Sequence, residues 1–243
     1  MDATHTSPPA AEALHVLLAS NHEIADFLND LARLAASEII GTPDGYCAIL
    51  LSRKKRKTVV GHSSQVAKDL DEIQAAFDEG PCLEAQAQHE VILSSDVHHE
   101  TRWPQYIATL RGSRIRSVLA VPLSLDGAAT AAINFYAPEP RSFDDEDIDK
   151  AQRFASLASL AMSVALRIAD AAQVAADRQH AMESRTAIDL AIGIIMAQQG
   201  CTQQEAFDVL EKVSSIRNVK VRDLAHELVA SVGKNPSKTV FNA

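Results

Sequence analysis

Apolar residues recur every three or four positions over much of this chain, which is the spacing of a helix that buries one face. The first such stretch ends at Gly41-Thr42-Pro43 and comprises Ile24, Phe27, Leu28, Leu31, Leu34 and Ala35. The pattern then changes to two short apolar runs, 46–52 and 58–63, which predict strands on either side of a basic turn, RKKRK. Helical spacing returns around residues 70–77.

The segment RSVLAVPLSLDGAATAAINFYA predicts a β-hairpin, because its two apolar runs are joined at Asp126-Gly127, a pair that favours tight turns. Ahead of it, residues 91–94 have the composition of a strand. The stretch GPCLEAQAQ predicts a short helix with Pro81 in its first turn, where the missing amide proton costs nothing.

Beyond Arg141 the pattern predicts one long helix, which starts in the acidic stretch SFDDEDIDKAQ and meets no Gly or Pro before Gly193. Its apolar positions keep a 3-4 spacing that favours helix pairing, at Phe154, Leu157, Ala161, Val164, Ile168, Ala171 and Ala175. The part up to about Leu166 could instead lie on its own domain. The Ala-rich remainder favours a helical linker or a dimer stalk, because its side chains are too small to form a core.

The C-terminal region predicts a bundle of three helices. The first contains RTAIDLAIGIIMAQQG, and Gly193 within it costs about 1 kcal/mol relative to alanine, which the close approach of another helix would offset. Thr202 and Glu205 have the spacing of a capping box, and Asn218 is suited to end the second helix. Its inner face is predicted to hold Ala206, Leu210 and Val213, and a continuous apolar stripe from Val221 to Val232 predicts the third helix.

Composition narrows the classes of function. The net charge of −9 resides entirely in the first 180 residues, so polyanion binding by the whole chain is disfavoured, although the neutral remainder could bind nucleic acid locally. Three scattered cysteines without a CxxC pair argue against disulfides and zinc sites. We find neither a signal peptide nor an apolar run long enough for a membrane span, and we expect a cytoplasmic protein.

The C-terminal pattern SRTAIDLAIGIIMAQQGCTQQEAFDVLEKVSSIRNVKVRDLAHELV resembles the ANTAR domain, an RNA-binding antiterminator module. The matching landmarks are Arg185, Ile188, Ala191, Gly193, Met196, the segment from Thr202 to Leu210, Ser214, Asn218, Lys220, Arg222 and Ala225. One departure is Ile192, where many family members have lysine before the central glycine. The resemblance implies binding to paired RNA stem-loops and prevention of transcription termination.

The first 165 residues resemble a GAF domain of the kind fused to ANTAR domains, through EGPCLEA, RWPQY and SVLAVPL. The resemblance implies an α+β fold, with a central antiparallel sheet flanked by helices and a ligand cavity on one face. We expect a partly disordered N-terminal segment (1–20), a GAF sensor domain (21–166), a helical linker or coiled coil (167–183), an ANTAR three-helix bundle (184–233) and a disordered tail (234–243).

Candidate RNA-binding residues in the ANTAR-like region are cations for phosphate and planar or polar groups for exposed bases. They are Arg185, Arg217, Asn218, Lys220 and Arg222. From residue types alone, this group could also be a solvated face with a helix cap at Asn218. We expect RNA stem-loops as the nucleic-acid partner, and a homodimer that pairs through Phe154, Leu157, Ala161, Val164 and Ile168.

Candidate residues for a ligand pocket are Cys82, Trp103 and Tyr106. Cys82 stands at a helix start, where the helix dipole lowers a thiol pKa, which would suit a redox or adduct sensor, but the residue type favours a small buried side chain in the wall of the domain. Trp103 and Tyr106 could line a pocket or pack a loop onto the sheet. The small-molecule signal is not identifiable from the sequence, the NKFDE motif of cyclic-nucleotide GAF domains is missing, and no cofactor or metal is indicated.

Two other classes of function remain open at this point. A three-helix bundle can resemble a DNA-binding helix-turn-helix, although the third helix offers only Lys220, Arg222 and His226 for contact. A GAF-type methionine sulfoxide reductase would need clustered cysteines, and only Cys47 and Cys82 lie in that region. No catalytic motif is visible, so we expect a regulator without enzyme activity.

Overall fold

A computed structural model describes residues 10–20, 23–53, 59–126 and 129–233, and the chain divides into two compact units between Asp170 and Ala171. The basic turn at 54–58, Gly127 of the predicted hairpin and both chain ends lie outside the described residues.

The first unit is an α+β domain with a five-stranded antiparallel sheet. Its strands, in the spatial order β2-β1-β5-β4-β3, are β1 Tyr46–Arg53, β2 Val59–His62, β3 Ile92–Ser94, β4 Ser117–Leu123 and β5 Ala129–Ala137. Its helices are α1 Ala10–Ser20, α2 Ile24–Ile39, α3 Gln65–Phe77, α4 Pro81–Gln88, α5 Pro104–Leu110 and the first part of α6 Asp145–Gln199. The predicted strands and the central sheet are confirmed.

The sheet is buried on both faces, because alternate residues of its strands enter two separate apolar clusters. Cys47, Ile49 and Leu51 of β1 join a cluster with α1, α2 and α6, whereas Ala48 and Leu50 join another with α3, α4 and α5. Gly61 of β2 allows α2 to pack closely, since a Cβ atom there would lie 2.5 Å from the Leu28 carbonyl oxygen. The helices α1 and α5 were not predicted from the sequence.

The long helix α6 begins where Asp144 and Asp147 accept each other's backbone N–H groups, at 3.0 and 3.2 Å. One stretch of α6 is long and apolar enough to cross a membrane, but 39 % of that stretch is buried within the protein. A helix that packs against its own domain has the same length and apolar composition, so this property is weak evidence for a membrane protein.

The second unit contains the end of α6 and the helices α7 Gln203–Arg217 and α8 Val221–Gly233. The buried side chains of its core are Ala187, Ala191, Ile192, Ile195, Ala206, Leu210, Leu224 and Ala225. The predicted capping box is confirmed, since Thr202 and Glu205 bond reciprocally, and Asn218 ends α7 in the left-handed conformation.

Two expectations for this unit are wrong. Val213 does not lie on the inner face of α7, because the helical turn instead brings the neighbouring Ser214 into the core. Among the described residues, no helix approaches Gly193, which is exposed and would have open space around a Cβ atom. Ile192, which replaces the lysine of many ANTAR domains, is buried in the core.

Candidate ligand network and RNA-binding surface

A hydrogen-bonded network of polar side chains lies inside the first unit, between the sheet and helix α3. One carboxylate oxygen of Asp71, Oδ1, accepts from Gln74 at 2.8 Å, from the Tyr136 hydroxyl at 3.2 Å and from the Asn134 amide. Gln74 also accepts the backbone N–H of Cys82 at 2.9 Å, which ties the start of α4 to the network. Asp71, Gln74 and Asn134 are fully buried.

The sheet leaves space for this network. Asn134 of β5 pairs with Ala48 of β1 on one side and with Ala120 of β4 on the other. All three positions belong to the sheet face under α3 and α4. Small side chains on both neighbouring strands therefore leave the Asn134 amide open to groups above the sheet.

The network is incompletely satisfied. Five buried side-chain atoms in the described residues lack a hydrogen-bond partner, and three of them belong here: Asp71 Oδ2, Asn134 Oδ1 and Tyr106 Oη. The Tyr106 and Tyr136 hydroxyls lie close enough to affect each other's pKa, although no hydrogen bond of normal geometry reaches Tyr106 Oη. Buried polar atoms without partners are uncommon in folded proteins and indicate a missing partner.

Burial dominates the electrostatics of this region. It raises the pKa of Asp71 to about 7, although hydrogen bonds from Asn134, Tyr136 and Gln74 act in the opposite direction. Burial also raises the pKa of the Tyr106 and Tyr136 hydroxyls. The folded-state titration of Asp71 therefore lies far above that of an ordinary carboxyl group and near neutral pH.

An open cleft of about 520 Å³ lies beside the network. Its lining residues are Asp78, Glu79, Gly80, Leu83, Glu84, Gln86, Ala87, Trp103 and Thr130, which include three acidic residues and no lysine or arginine. Two of these residues also contact the network: Gly80 lies against the Gln74 side chain, and Gln86 donates to Cys82 Sγ at 3.7 Å. The cleft is thus acidic, and it meets the network at Gly80 rather than at the buried carboxylate.

The three predicted pocket residues take different positions around this site. Trp103 lines the cleft and donates its indole N–H to Glu84 at 2.8 Å, while Arg102 stacks 4.3 Å from the centre of its ring. Tyr106 contributes its unpartnered hydroxyl. Cys82 does not line the cleft and is buried in the apolar cluster under α4. Burial raises the pKa of its thiol, which is opposite to the effect expected at a helix start.

The two cysteines of this unit do not form a reactive pair. Cys47 belongs to the cluster under α2 and α6, and Cys82 belongs to the cluster on the other face of the sheet. Burial raises the pKa of both thiols, so neither is a ready nucleophile. Among the described residues, no group of three His, Cys, Asp or Glu side chains could hold a metal ion.

In the second unit, four of the five predicted RNA-binding residues lie at the junction of α7 and α8. Arg217 bridges the two helices through an ion pair with Glu227 at 2.8 Å, and Asn218 ends α7 with its side chain exposed. Arg222 pairs with the adjacent Asp223 at 3.3 Å. Lys220 is exposed and has no ion pair within the described part of the chain.

Arg185 lies apart from this group on α6, where its only ion pair within the described residues is a long one, 4.0 Å, with Asp189. Its side chain is 86 % exposed and is therefore free to contact a ligand. The structure thus brings four candidates together at one junction and leaves the fifth on another helix.

Comparisons with known families now identify the two units. The GAF domain family matches residues 21–163, and the ANTAR domain family matches residues 176–229. The chain belongs to the GAF and ANTAR domain-containing proteins. The ANTAR match includes all five RNA-binding candidates, and the GAF match includes the Asp71 network and the cleft. This architecture is that of a regulator with a sensor domain and an RNA-binding domain.

Similar solved structures cover the GAF domain at low sequence identity. They include the GAF domain of an Acinetobacter phosphoenolpyruvate-protein phosphotransferase (13 % identity, 65 % of this chain and 93 % of that one, TM-score 0.48). Another is a free methionine-R-sulfoxide reductase from Neisseria meningitidis in complex with its substrate (17 %, 69 % and 99 %, 0.46). A third is the N-acylhomoserine lactone dependent transcription factor CepR2 from Burkholderia cenocepacia (11 %, 67 % and 96 %, 0.49).

Each TM-score is below 0.5, so the fold assignment rests on the sheet topology and the family matches. A comparison with curated protein sequences finds no match.

The predicted dimer seam separates into two groups in the GAF unit. Phe154 and Ala161 are buried in the core under α2, so in this structure they face their own domain. Leu157, Val164 and Ile168 are exposed, and Leu160, which was not predicted, joins them as the most exposed of the four. The apolar residues at 3-4 spacing therefore divide into two groups. One group, on one side of α6, packs into the core of its own domain, and the other forms an exposed apolar stripe on the other side.

The Asp71 network was not predicted from the sequence, but two signals were present. Asp71 and Gln74 occupy buried positions of α3 together with Ala67 and Leu70, at helical spacing. Asn134 interrupts the apolar run of β5. A polar residue at a core position of an otherwise apolar element is the pattern that indicates such a site.

Proposed function

We propose that this protein is a transcription antiterminator. Its ANTAR domain binds RNA stem-loops in a nascent transcript and prevents formation of a terminator, and its GAF domain responds to a small molecule. The observation that carries the proposal is the ANTAR match, with exposed cationic and amide side chains at the α7–α8 junction. Action on nascent transcripts places the protein in the cytoplasm.

Within the ANTAR domain, we assign different tasks to the candidate residues. Lys220 and Arg222 contact phosphate, because both are exposed and at most weakly paired. Arg185 and Asn218 approach loop bases, which planar or amide groups recognise. Arg217 holds α7 to α8 through Glu227, and contact with RNA would require exchange of that ion pair.

The first test is binding of the full chain to stem-loop RNA and to duplex DNA of equal length, at two salt concentrations. Lys220→Ala and Arg222→Ala should each weaken binding to all stem-loops alike and reduce the salt slope by about 1. Lys212→Ala removes another exposed cation, from the body of α7, and should leave binding unchanged. Preference for duplex DNA would replace the proposal with a DNA-binding regulator.

Antitermination itself is measured by transcription in vitro through a template that encodes two stem-loops and a terminator. The protein should raise the fraction of full-length transcript, and Lys220→Ala should reduce that effect in proportion to its RNA affinity. Binding without any change in readthrough would restrict the function to RNA binding.

We also propose that the protein forms a homodimer through the exposed stripe of α6, so that two ANTAR domains meet two stem-loops. Val164→Glu with Ile168→Glu places two charges in that stripe and should lower the mass in solution to that of a monomer. Ala172→Glu with Ala176→Glu is the matched control on the same helix. An unchanged mass for the first pair would remove this stripe from the dimer.

The domain boundaries proposed from the sequence, 21–166, 167–183 and 184–233, are tested by a truncation after Glu183. The remaining fragment should unfold cooperatively, since the core of the first unit contains no residue beyond Leu166. Loss of the cooperative transition would show that the GAF domain depends on the ANTAR domain.

A further inference from the structure

We propose that Asp71 and Asn134 form a protonated acid–amide pair, which acts as a proton-sensitive latch between helix α3 and the sheet. In the closed state, the Asp71 carboxyl group is neutral and donates its proton from Oδ2 to Asn134 Oδ1. Loss of that proton to solvent opens the pair and weakens the attachment of α4. This inference concerns the interior of the GAF domain, and it depends neither on RNA binding nor on the small-molecule signal proposed above.

One hydrogen bond of the pair is already present. The Asn134 amide donates from Nδ2 to Asp71 Oδ1, and the remaining two atoms, Asp71 Oδ2 and Asn134 Oδ1, are buried without a partner. A carboxylic acid and a carboxamide that meet edge to edge form a ring of two hydrogen bonds, amide N–H to acid oxygen and acid O–H to amide oxygen. The two unpartnered atoms are the ones that the second bond of this ring requires. A single proton on Oδ2 therefore satisfies both.

The other contacts of Asp71 place the proton on Oδ2. Oδ1 also accepts from Gln74 at 2.8 Å and from the Tyr136 hydroxyl at 3.2 Å, whereas no group of the described residues donates to Oδ2. An ionised carboxylate carries charge on both oxygen atoms, so a buried Oδ2 without a donor disfavours the anion relative to the acid. Burial also raises the pKa of Asp71 to about 7, in agreement with a proton that stays on the folded chain below neutral pH.

Among the described residues, no neighbouring cation takes the place of the proton. The titratable groups that face Asp71 from the elements packed around it are Cys47 of β1, Cys82 of α4, Tyr106 of α5 and Tyr136 of β5. Burial raises the pKa of all four, so all are neutral near pH 7. Neither His62 of β2 nor the exposed charges of α3 and α4 contribute to the pKa of Asp71. The charge state of this core therefore depends on Asp71 alone.

Loss of the proton leaves two oxygen atoms facing each other. Asp71 Oδ2 then carries negative charge and faces the partially negative Asn134 Oδ1. Rotation of the amide would bring its nitrogen to Oδ2 but would place its oxygen against Asp71 Oδ1, so one repulsive contact remains in either orientation. The repulsion favours separation of α3 from β5 and entry of water to the carboxylate.

The separation of α3 acts on α4 through Gln74. The Gln74 side chain donates to Asp71 and accepts the backbone N–H of Cys82, at the start of α4, at 2.9 Å. Glu84 of α4 in turn accepts the indole N–H of Trp103 at 2.8 Å, next to the start of α5. A displacement of α3 therefore loosens the start of α4 first and then its contact with Trp103.

Infrared difference spectroscopy of the full chain detects the proton directly, because a protonated carboxyl group absorbs apart from carboxylates and amides. The parent should show this band at pH 6 and lose it as the pH rises to 9. Asp71→Asn should lack the band, whereas Asp69→Asn, which removes an exposed carboxylate from the same helix, should keep it. A parent without the band at pH 6, or a band that persists in a folded Asp71→Asn variant, would overturn the proposal.

Hydrogen–deuterium exchange of the full chain tests the opening. In Asp71→Asn the introduced amide N–H takes the place of the acid O–H, so the ring stays closed at every pH. Peptides that cover residues 65–88 should exchange equally in parent and variant at pH 5, and at least threefold faster in the parent at pH 8. Comparison of two proteins at the same pH cancels the intrinsic pH dependence of exchange. Equal exchange at both pH values would overturn the latch.

Tyr136→Phe provides a second variant with the ring intact. It removes a donor to Asp71 Oδ1 that favours the ionised form, so the proton should be held more tightly. Exchange of residues 65–88 at pH 8 should therefore be slower in Tyr136→Phe than in the parent. Exchange as fast as that of the parent would contradict the proposal even if Asp71→Asn does not fold, and circular dichroism verifies the fold of each variant.

Discussion

Replacing Asp71 with asparagine is the sharpest test of how the GAF core is organised. Asp71 is the only buried charged side chain among the described residues. The introduced amide would keep an oxygen for the three donors that now reach Oδ1, and its nitrogen would take the place of Oδ2, which has no partner. The substitution therefore removes a charge and leaves the shape of the network almost unchanged.

The expected magnitude follows from the pKa of Asp71, which burial raises from 3.8 to about 7. Between these values the unfolded chain is ionised while the folded chain retains its proton, so this group makes the folded state less stable as pH rises. The difference of about 3 pKa units corresponds to about 4 kcal/mol once the pH exceeds 7. Of this cost, about 2–3 kcal/mol develops between pH 5 and pH 8.

The asparagine side chain has no proton to lose, so this cost disappears in the variant at every pH. Relative to the parent, Asp71→Asn should gain about 2–3 kcal/mol more in the free energy of unfolding at pH 8 than at pH 5. Any loss from altered packing is the same at both pH values and cancels in this comparison. All other titrating groups are shared by the two proteins and cancel as well.

The measurement is urea unfolding at both pH values, followed by the fluorescence of Trp103, which reports on the GAF domain alone because the ANTAR domain has no tryptophan. The slope against urea must agree between parent and variant for the comparison to hold. If the variant differs from the parent by the same amount at pH 5 and pH 8, the buried carboxylate does not titrate in this window and the argument fails.

Three further substitutions test local features. Gly80→Ala should destabilise the GAF domain by about 1–3 kcal/mol, because its Cβ would collide with the Gln74 side chain, whereas Gly112→Ala meets only ordinary contact and serves as the control; urea unfolding measures both. Gly193→Ala should stabilise the ANTAR helices by about 1 kcal/mol, since its Cβ enters open space, and a drop in thermal stability by circular dichroism would contradict this. Thr202→Ala should cost about 1 kcal/mol through the lost capping box, and an unchanged unfolding midpoint would show that the cap contributes nothing.

Much of the fold was predictable because local sequence determines it. The hairpin strands β4 and β5, the helix start at Pro81 and the capping box at Thr202 each depend on a few adjacent residues, and the structure confirms them. Periodicity also predicted the long helix α6, but it could not show which side of the helix meets its own domain. That choice depends on α2, which is distant in the sequence.

The pairing of Asp71 with Asn134 could not be predicted for the same reason. Asp71 and Asn134 are 63 residues apart, and only the antiparallel pairing of β1, β5 and β4 places alanines on both sides of Asn134. The open space beside Gly193 could not be predicted either, because the sequence shows that a glycine is present and not what surrounds it. Long-range register and open space are properties of the folded chain.

The two faces of the GAF sheet differ in how far their packing stabilises the folded domain. Under α2 and α6 the sheet packs against an apolar cluster, whereas under α3 and α4 a buried carboxylate interrupts the second apolar cluster, and three buried oxygen atoms of the network there have no partner. Apolar residues of similar volume would avoid the desolvation of that charge, so folding alone does not account for it. Local violations of stable packing concentrate where a protein binds or reacts. On this argument, Asp71 and the side chains that bond to it have a role beyond folding.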